Sequence, residues 1–362
     1  MTSGTERELI SLHFGNADSG KKVYIQASLH ADEIPGMLVV HYLRSQLSEL
    51  ALAGRLSSEI VIVPMANPIG LSQEIQGSAF GRFDLSTGLN FNRGYQHLTP
   101  ALWPLLDGKL GLDVTENTRL IRQASHAVLQ QWQPEDQAAC LKKILQTLAI
   151  DADIVLDLHC DNQAVMHLYT GTPLVAETMP LAAYLGAKAV LVSSLSGGDP
   201  FDENCSRHWW EIAAQAGPDI PVAMGCLSVT VELRGETEVS HELAQADALA
   251  IIRFLQHAGH IAGDVALCPP ALCVATPLEG VEPIAAACAG ILVFTKELGE
   301  QVLAGESIGD LIDPLSGSVT PMLATVSGVL FARVARRYAQ RGMRVAKIAG
   351  SLAFRSGQLL SL

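Results

Sequence analysis

Basic residues are scarce in this sequence. Its 362 residues include 24 lysines and arginines against 37 aspartates and glutamates, which gives a formal net charge of −13 at pH 7. Nucleic acids and anionic membrane surfaces are bound by basic faces, so this balance argues against both as partners. It does not exclude a small-molecule substrate, because a pocket can be locally positive on an acidic protein.

Long apolar runs and paired cysteines are missing as well. No apolar run approaches the roughly 20 residues that span a bilayer, and residues 1–8 lack the apolar segment of a signal peptide. The seven cysteines form no C-x-x-C pair, which fits reduced thiols better than a disulfide framework. We therefore expect a cytoplasmic protein, and the sequence leaves open whether it forms a homo-oligomer.

Several catalytic motifs are also lacking. The absence of H-E-x-x-H excludes a thermolysin-like zinc protease. Residues 15–22 nearly match the phosphate-binding pattern G-x-x-x-x-G-K-[ST], but Lys22 replaces the hydroxyl residue, and a strand follows where the motif needs a helix. We predict a hairpin turn there instead. A serine-hydrolase nucleophile elbow is not expected either.

The first two thirds of the chain alternate between predicted strands and predicted helices. Apolar runs predict strands at 23–29, 60–63, 153–159 and 229–233. Leucines at helical spacing predict a helix that starts at Pro35 and is capped by Gly54. This alternation predicts the α/β class, with a mostly parallel or mixed sheet and helices on both faces.

The composition changes near Gly263. Short β-type runs follow, among them 290–294 and 328–333, and glycine-containing turns separate them. We therefore predict two domains, an α/β catalytic domain at residues 1–265 and a small all-β domain at residues 266–362.

Three possible metal ligands lie at the ends of predicted strands. His30 and Glu33 follow strand 23–29, and His159 ends strand 153–159. In open α/β sheets, ligands bind at this edge, and two imidazoles with one carboxylate form the ligand set of a catalytic zinc site. The structural alternatives are a carboxylate favoured by a helix N-terminus for Glu33 and a hydrogen-bonded strand-end histidine for His159. The pairing of H-x-x-E with a distant histidine favours the metal site.

A hydrolytic zinc site also needs a base, and Glu232 is the candidate. It lies between Val231 and Leu233 in a predicted strand, where a carboxylate is costly unless it faces a pocket. The structural alternative is an outward-facing glutamate on an edge strand. Glu236 and Glu238 are competitors, although both look like turn residues.

The stretch from Asn67 to about Thr115 shows no clear period and is predicted to be a long, ordered and functional loop. It contains Arg82 and Arg93, which could bind a substrate carboxylate or stabilise an oxyanion. Asn92 adds a neutral donor and acceptor. The alternative for each arginine is a solvated surface residue.

These segments together resemble the succinylglutamate desuccinylase/aspartoacylase family, within the zinc carboxypeptidase superfamily, as a broad deacylase member. The segments that carry the resemblance occur in the family's order: His30–Glu33, Asn67–Gly70, Arg82, Asn92-Arg93, Asp157–His159 and Val231–Leu233. Residues 305–309 and 326–329 resemble the β domain appended in this family, which is similar to a biotinyl/lipoyl hybrid motif. The resemblance implies a zinc-carboxypeptidase-like mixed sheet for the first domain.

The resemblance also implies a role for each candidate residue. One zinc ion per chain would be held by His30, Glu33 and His159. Glu232 would act as general base and then acid, and Arg82 would polarise the scissile carbonyl. The substrate carboxylate would be gripped by Asn92 and Arg93.

The sequence thus predicts a zinc-dependent hydrolase that cleaves the amide bond of a small N-acyl amino acid or related compound, using a water that the metal activates. One alternative is a zinc carboxypeptidase that acts on short peptides. Another is a non-catalytic carrier or binding protein that uses the β domain. A carrier needs a lysine at a hairpin tip, and the hairpin predicted at residues 313–317 has none.

Overall fold

The computed structural model describes residue 4 and residues 6–360. The helices of this part of the chain are Pro35–Leu52 (α1), Pro68–Leu71 (α2), Thr99–Leu106 (α3), Val114–Gln131 (α4), Gln137–Ala149 (α5), Val175–Leu185 (α6), Phe201–Ala216 (α7) and His241–His257 (α8). None of these described helices is long and apolar enough to cross a membrane.

Strands of the first three quarters of the chain are Leu12–Phe14 (β1), Lys22–Ala27 (β2), Glu59–Val63 (β3), Glu74–Ile75 (β4), Ser78–Ala79 (β5), Ile154–Asp161 (β6), Gln163–Ala164 (β7), His167–Thr170 (β8), Ala189–Val192 (β9), Leu227–Gly235 (β10) and Ala275–Pro277 (β11). Those of the last quarter are Val281–Ala285 (β12), Gly290–Phe294 (β13), Gln301–Val302 (β14), Ser307–Ile312 (β15), Val319–Leu323 (β16), Gly328–Arg333 (β17), Tyr338–Ala339 (β18) and Arg344–Gly350 (β19).

A mixed eight-stranded sheet forms the centre of the molecule, in the order β1-β3-β2-β6-β10-β8-β9-β11. Strands β3, β2, β6 and β10 run parallel to one another, whereas β1 and β8 are antiparallel to β3 and β10 respectively. The predicted mixed α/β fold is therefore confirmed. Because the C-terminal ends of β2, β6 and β10 meet at one edge, the residues that follow these strands come together.

Helices cover both faces of the sheet. The side chains of a strand point alternately to the two faces, so one strand contributes to two cores. Val23 and Ile25 of β2 pack in the core that contains Leu43 of α1. Tyr24, between them, packs in the opposite core, which contains Trp209 of α7. A strand covered in this way is apolar throughout, which explains the unbroken apolar run in the sequence.

Two expectations about the connections are corrected. Residues 15–22 do not form a hairpin turn, because β1 pairs with β3 and not with β2. The stretch between Asn67 and Thr115 is not one long loop, since it contains α2, the β4–β5 hairpin and α3. Helix α3 has Pro100 in its first turn, where proline is tolerated, and a second proline, Pro104, within it.

The last quarter of the chain is all β. Strands β12, β19, β17 and β14 form one antiparallel sheet, and β16, β15, β13 and β18 form another. Between them lies a core that includes Leu292, Ile308, Leu330 and Ile348. This part is joined to the first, because β7 pairs with β17 while β11 extends the large sheet beside β9. The exact domain boundary stays a prediction.

Candidate metal centre

The loop after β2 is held in an unusual backbone conformation. Ser28 is buried and has a φ of +64°, a value that residues other than glycine rarely adopt. Such a conformation persists only where the surrounding structure enforces it. The next loop packs tightly against this one: the N–H of Ala31 donates to the carbonyl of Gly81 (3.0 Å). A Cβ at residue 81 would lie 2.2 Å from the backbone nitrogen of Asp32, so only glycine fits there. This contact sets the positions of His30 and Arg82 relative to each other.

His30, Glu33 and His159 converge on one point. Nδ1 of His30 lies 2.9 Å from Oε1 of Glu33, and Nδ1 of His159 lies 2.7 Å from Oε2. One ligand atom from each residue lies within 4.8 Å of the other two, and all three residues are buried. The three residues that the sequence proposes as ligands are therefore brought together, in a group that could hold a metal ion.

The outward nitrogens of both imidazoles face oxygen atoms. Nε2 of His30 lies 2.8 Å from Oδ1 of Asn90, which also accepts a hydrogen bond from the backbone N–H of Asn92 (2.8 Å). Nε2 of His159 lies 2.9 Å from Oδ2 of Asp157, although the alignment is not that of a hydrogen bond. When the rings are neutral, these acceptors favour a proton on each Nε2, which leaves each Nδ1 with a lone pair. The donor set therefore fits a cation such as zinc.

A buried chain of polar side chains supports His159 from within the sheet. Oδ1 of Asp157 accepts a hydrogen bond from Nε2 of Gln26 (2.9 Å), and Oε1 of Gln26 accepts one from the hydroxyl of Tyr24 (2.9 Å). All of these residues are inaccessible to solvent or nearly so. Sequence reasoning assigned no role to Gln26, although a lone polar residue inside an apolar strand is a usable signal.

The charged side chains of this group shift one another's pKa values. Burial disfavours ionised Glu33, yet the positive histidines beside it hold its pKa well below the usual range. Burial likewise opposes protonated His159, but the carboxylates of Asp157 and Glu33 raise its pKa well above the ordinary value. Burial and the charge of Arg82 lower the pKa of His30. Glu33 is thus an ionised carboxylate, the form that binds a cation.

Glu232 faces this group from the neighbouring strand. In the sheet register it stands opposite His159, and β10 lies between β6 and β8. The edge-strand alternative for Glu232 is therefore wrong. Its Oε2 atom is buried and has no hydrogen-bond partner among the described residues. Burial and the charge of Glu33 raise its pKa to about 8.

Arg82 and Arg93, the two arginines predicted for the site, line one cavity together with His30 and His159. Nη1 of Arg82 lies 3.3 Å from Oε1 of Glu33 and 3.3 Å from Nδ1 of His30. Nη1 of Arg93 donates to the carbonyl of Asn92 (2.6 Å), and burial together with the charge of Arg82 lowers the pKa of Arg93 to about 10. Oδ1 of Asn92 accepts from the N–H of Phe201 (2.8 Å), which fixes it at the start of α7.

A cavity of about 390 Å³ lies over these residues. His30, Arg82, Asn92, Arg93, His159 and Glu232 all line it. Part of the cavity wall comes from the C-terminal strands and the segments around them, and its lining residues include Pro283, Val334, Arg344, Lys347 and Arg355. This part of the wall was not predicted from the sequence, because no motif marks residues that are apolar or basic in a β domain.

Comparison with known protein families gives a match over most of the chain. Residues 19–258 match the model of the succinylglutamate desuccinylase/aspartoacylase catalytic domain. The chain belongs to this family. The match spans β2 to α8 and so includes every residue of the candidate metal group. A comparison with curated proteins finds no match.

Solved structures extend the family likeness over the C-terminal strands. A protein from Shewanella frigidimarina NCIMB 400, named as a succinylglutamate desuccinylase/aspartoacylase, is 25% identical with a TM-score of 0.84; the alignment covers 97% of this chain and 94% of that one. A family protein from Shewanella amazonensis SB2B is 26% identical with a TM-score of 0.83, and 96% of each chain is covered.

A more distant structural match is the ectoine utilization protein EutE (DoeB) from Ruegeria pomeroyi, which was solved with bound product. It is 17% identical with a TM-score of 0.64, and the alignment covers 91% of this chain and 86% of that one. At this identity the likeness shows the shared fold.

The sequence contains the pattern G-x-S-x-G at Gly305–Gly309, although we expected no nucleophile elbow. It lies in the C-terminal strands, where β15 runs on into β16 and not into a helix. Oγ of Ser307 donates to the carbonyl of Gly309 (2.9 Å). The conclusion that this is not a serine-hydrolase elbow therefore stands on structural grounds.

Proposed function

We propose that this family member is a zinc-dependent hydrolase that cleaves the amide bond of a small N-acyl amino acid or a related N-acyl compound. The observation that carries the proposal is the convergence of two imidazole Nδ1 atoms and one carboxylate below a cavity that Glu232 also faces. Nδ1 of His30, Nδ1 of His159 and the carboxylate of Glu33 would hold the ion. Zinc, when bound, supplies a Lewis acid that polarises a carbonyl and makes a water molecule more acidic.

Glu232 would handle the protons of the reaction. As a carboxylate it would accept a proton from the attacking water as the new C–O bond forms. It would then return that proton to the leaving nitrogen as the C–N bond breaks, so that one acid and one amine are released. The Oε2 atom of Glu232 is buried and lacks a hydrogen-bond donor, which makes a carboxylate a stronger base than an exposed one.

Arg82 and the Asn92-Arg93 pair would orient the substrate. The guanidinium of Arg82 lies beside Glu33 and at the cavity wall, where it could donate to the carbonyl oxygen on which negative charge develops. Arg93 lines the same cavity, and its planar guanidinium suits a substrate carboxylate.

The C-terminal strands favour a small substrate over a peptide. Because they form part of the cavity wall, they leave less room for an extended chain than for a small molecule. We therefore place the carboxypeptidase reading second. We also propose residues 1–265 as the catalytic domain and residues 266–362 as a β domain of the biotinyl/lipoyl hybrid kind, whose role is to close the cavity.

The experiment that tests the proposal combines metal analysis with a hydrolysis screen of N-acyl amino acids and short peptides. The wild type should bind one zinc ion per chain and release free amino acid. Glu232→Gln should keep the zinc and lose turnover by several orders of magnitude, because it cannot accept the proton. His159→Ala should lose the zinc.

The matched control is Glu236→Gln, which removes a neighbouring exposed carboxylate of the turn after β10 and should leave turnover close to that of the wild type. Near-normal turnover in Glu232→Gln, or stoichiometric zinc in His159→Ala, would contradict the proposed site. Cleavage of peptides in preference to N-acyl amino acids would favour the carboxypeptidase reading.

A further inference from the structure

Positive charge is concentrated where the C-terminal strands meet the cavity. Residues 333–347 contain six basic side chains and no acidic one, in a chain whose net charge is −13. Arg344 and Lys347 of this segment line the cavity, and so does Arg355, which follows β19. The β domain thus contributes three cations to the wall of the cavity that His30 and His159 also line.

A β-bulge explains how two of these cations share one side of β19. Residues three apart on a regular strand face opposite sides. Opposite β12, however, Arg344 and Ala346 pair with consecutive residues, so Val345 is an extra residue on β19. The extra residue brings Arg344 and Lys347 to the same face, and both reach the cavity.

The three cations differ in what balances their charge. The ammonium of Lys347 forms an ion pair with Asp161, at the end of β6. Arg355 donates from Nη1 to the carbonyl of Val281 (2.9 Å) and from Nη2 to the carbonyl of Leu359 (2.9 Å), and these neutral acceptors leave its charge unmatched. Within residues 6–360, neither Arg344 nor Arg355 forms an ion pair with a carboxylate.

Arg344 and Arg355 line the same cavity, and their like charges act on each other. Burial and the charge of Arg344 lower the pKa of Arg355. Two guanidinium groups that repel each other at the wall of a cavity are stabilised by an anion placed between them. A carboxylate matches the planar geometry of a guanidinium and forms two parallel hydrogen bonds with it.

We propose that Arg344 and Arg355 form an anion-binding pair that selects substrates carrying a carboxylate remote from the amide bond that is cut. The inference rests on the proposed function and adds two specificity-determining residues, both supplied by the β domain. Their chemistry does not depend on which half of the substrate carries the carboxylate, so the acyl half and the amine half are separate arms of the test.

The test measures equilibrium binding by titration calorimetry, with zinc-loaded full-length Glu232→Gln protein so that no substrate is consumed. The amine arm compares N-acetyl-L-glutamate with its neutral isostere N-acetyl-L-glutamine. The acyl arm compares N-succinyl-L-alanine with N-butanoyl-L-alanine. A hydrogen bond between charged groups corresponds to roughly 10- to 100-fold in Kd, so the acid of at least one pair should bind at least about tenfold more tightly than its neutral partner.

Arg344→Gln, added to the same protein, should reduce that preference to about threefold or less, since it removes the charge while keeping a polar side chain. Arg344 is exposed, and within residues 6–360 its side chain forms no ion pair with a carboxylate, so the variant should fold. The control is Arg341→Gln, an exposed arginine of the same segment outside the cavity lining, which should keep the preference.

Equal binding of acid and neutral compound in both arms, binding of neither, or an unchanged preference in Arg344→Gln would overturn the proposal. Turnover by the wild type is a separate readout. Selective binding without any hydrolysis would support the anion-binding pair while contradicting the proposed hydrolase.

Discussion

Asp157 supports the ring of His159 from inside the sheet, and the substitution Asp157→Asn isolates that contact. Oδ2 of Asp157 faces Nε2 of His159 at 2.9 Å, while Oδ1 is held by the amide of Gln26 at 2.9 Å. In the variant the oxygen would stay with Gln26, and the new amide N–H groups would face the Nε2 proton. The imidazole can avoid two opposed donors only by moving its proton to Nδ1, the atom that the metal requires.

The expected loss follows from the burial of this pair. Removing the outer partner of a ligating histidine typically weakens metal binding 10- to 100-fold, or about 1.4–2.7 kcal/mol. Asp157 is 0% exposed and His159 is 2% exposed, so water cannot enter to replace the lost acceptor. We therefore expect the upper part of this range, an increase in the zinc Kd of about 30- to 100-fold.

The assay is competition for zinc against a chromophoric chelator at neutral pH. Its control is Asp161→Asn, which neutralises a carboxylate on the same strand that pairs with Lys347 and not with a histidine; its zinc Kd should stay within about threefold of the wild type, because Asp161 is not the outer partner of a proposed ligand. If Asp157→Asn melts cooperatively and still binds zinc as tightly as the wild type, Asp157 does not set the tautomer of His159.

Three further predictions concern the scaffold. Gly81→Ala should lower the melting temperature and weaken zinc binding, because its Cβ would lie 2.2 Å from the backbone nitrogen of Asp32; Gly111→Ala, with nothing within 4 Å, is the control in the same thermal melts. Leu43→Ala, which empties a fully buried site, should cost about 2–5 kcal/mol in urea denaturation. Burial lowers the pKa of His208 to about 3. Below about pH 6.5 the histidine is protonated in the unfolded chain but stays neutral in the folded chain, so the free energy of unfolding should fall as the pH drops from about 6.5 towards 3. In urea denaturation between pH 7 and pH 5, His208→Gln should make the free energy of unfolding less dependent on pH. An unchanged pH dependence in this variant would contradict the prediction.

The elements of the catalytic part could be predicted because their signals are local. The run Val23-Tyr24-Ile25 is apolar on both faces of a strand, and it lies in β2 with consecutive side chains in opposite cores. The strand ends that carry His30 and His159 follow from such runs without any knowledge of pairing. The ligand group is therefore a sequence-level prediction that the geometry supports.

What could not be predicted depends on pairing between distant segments. The turn at 15–22 looks like a hairpin locally, but β1 pairs with β3, some 46 residues away at His13 and Glu59. The ion pair of Lys347 with Asp161 spans 186 residues. No period or spacing encodes such a contact, so the cavity wall formed by the C-terminal strands was not foreseen.

The order of three strands explains why the candidate metal group and Glu232 can act together. Strand β6 lies between β2 and β10, and all three run in the same direction. Neighbouring strands lie about 4.8 Å apart, so the outer two are separated by only ~10 Å. His30 and Glu33 reach inward from the loop after β2, and Glu232 faces the same cavity from β10. An ion held between β2 and β6 would thus lie within reach of Glu232, whereas a strand inserted between β6 and β10 would move the base out of range while leaving every ligand in place.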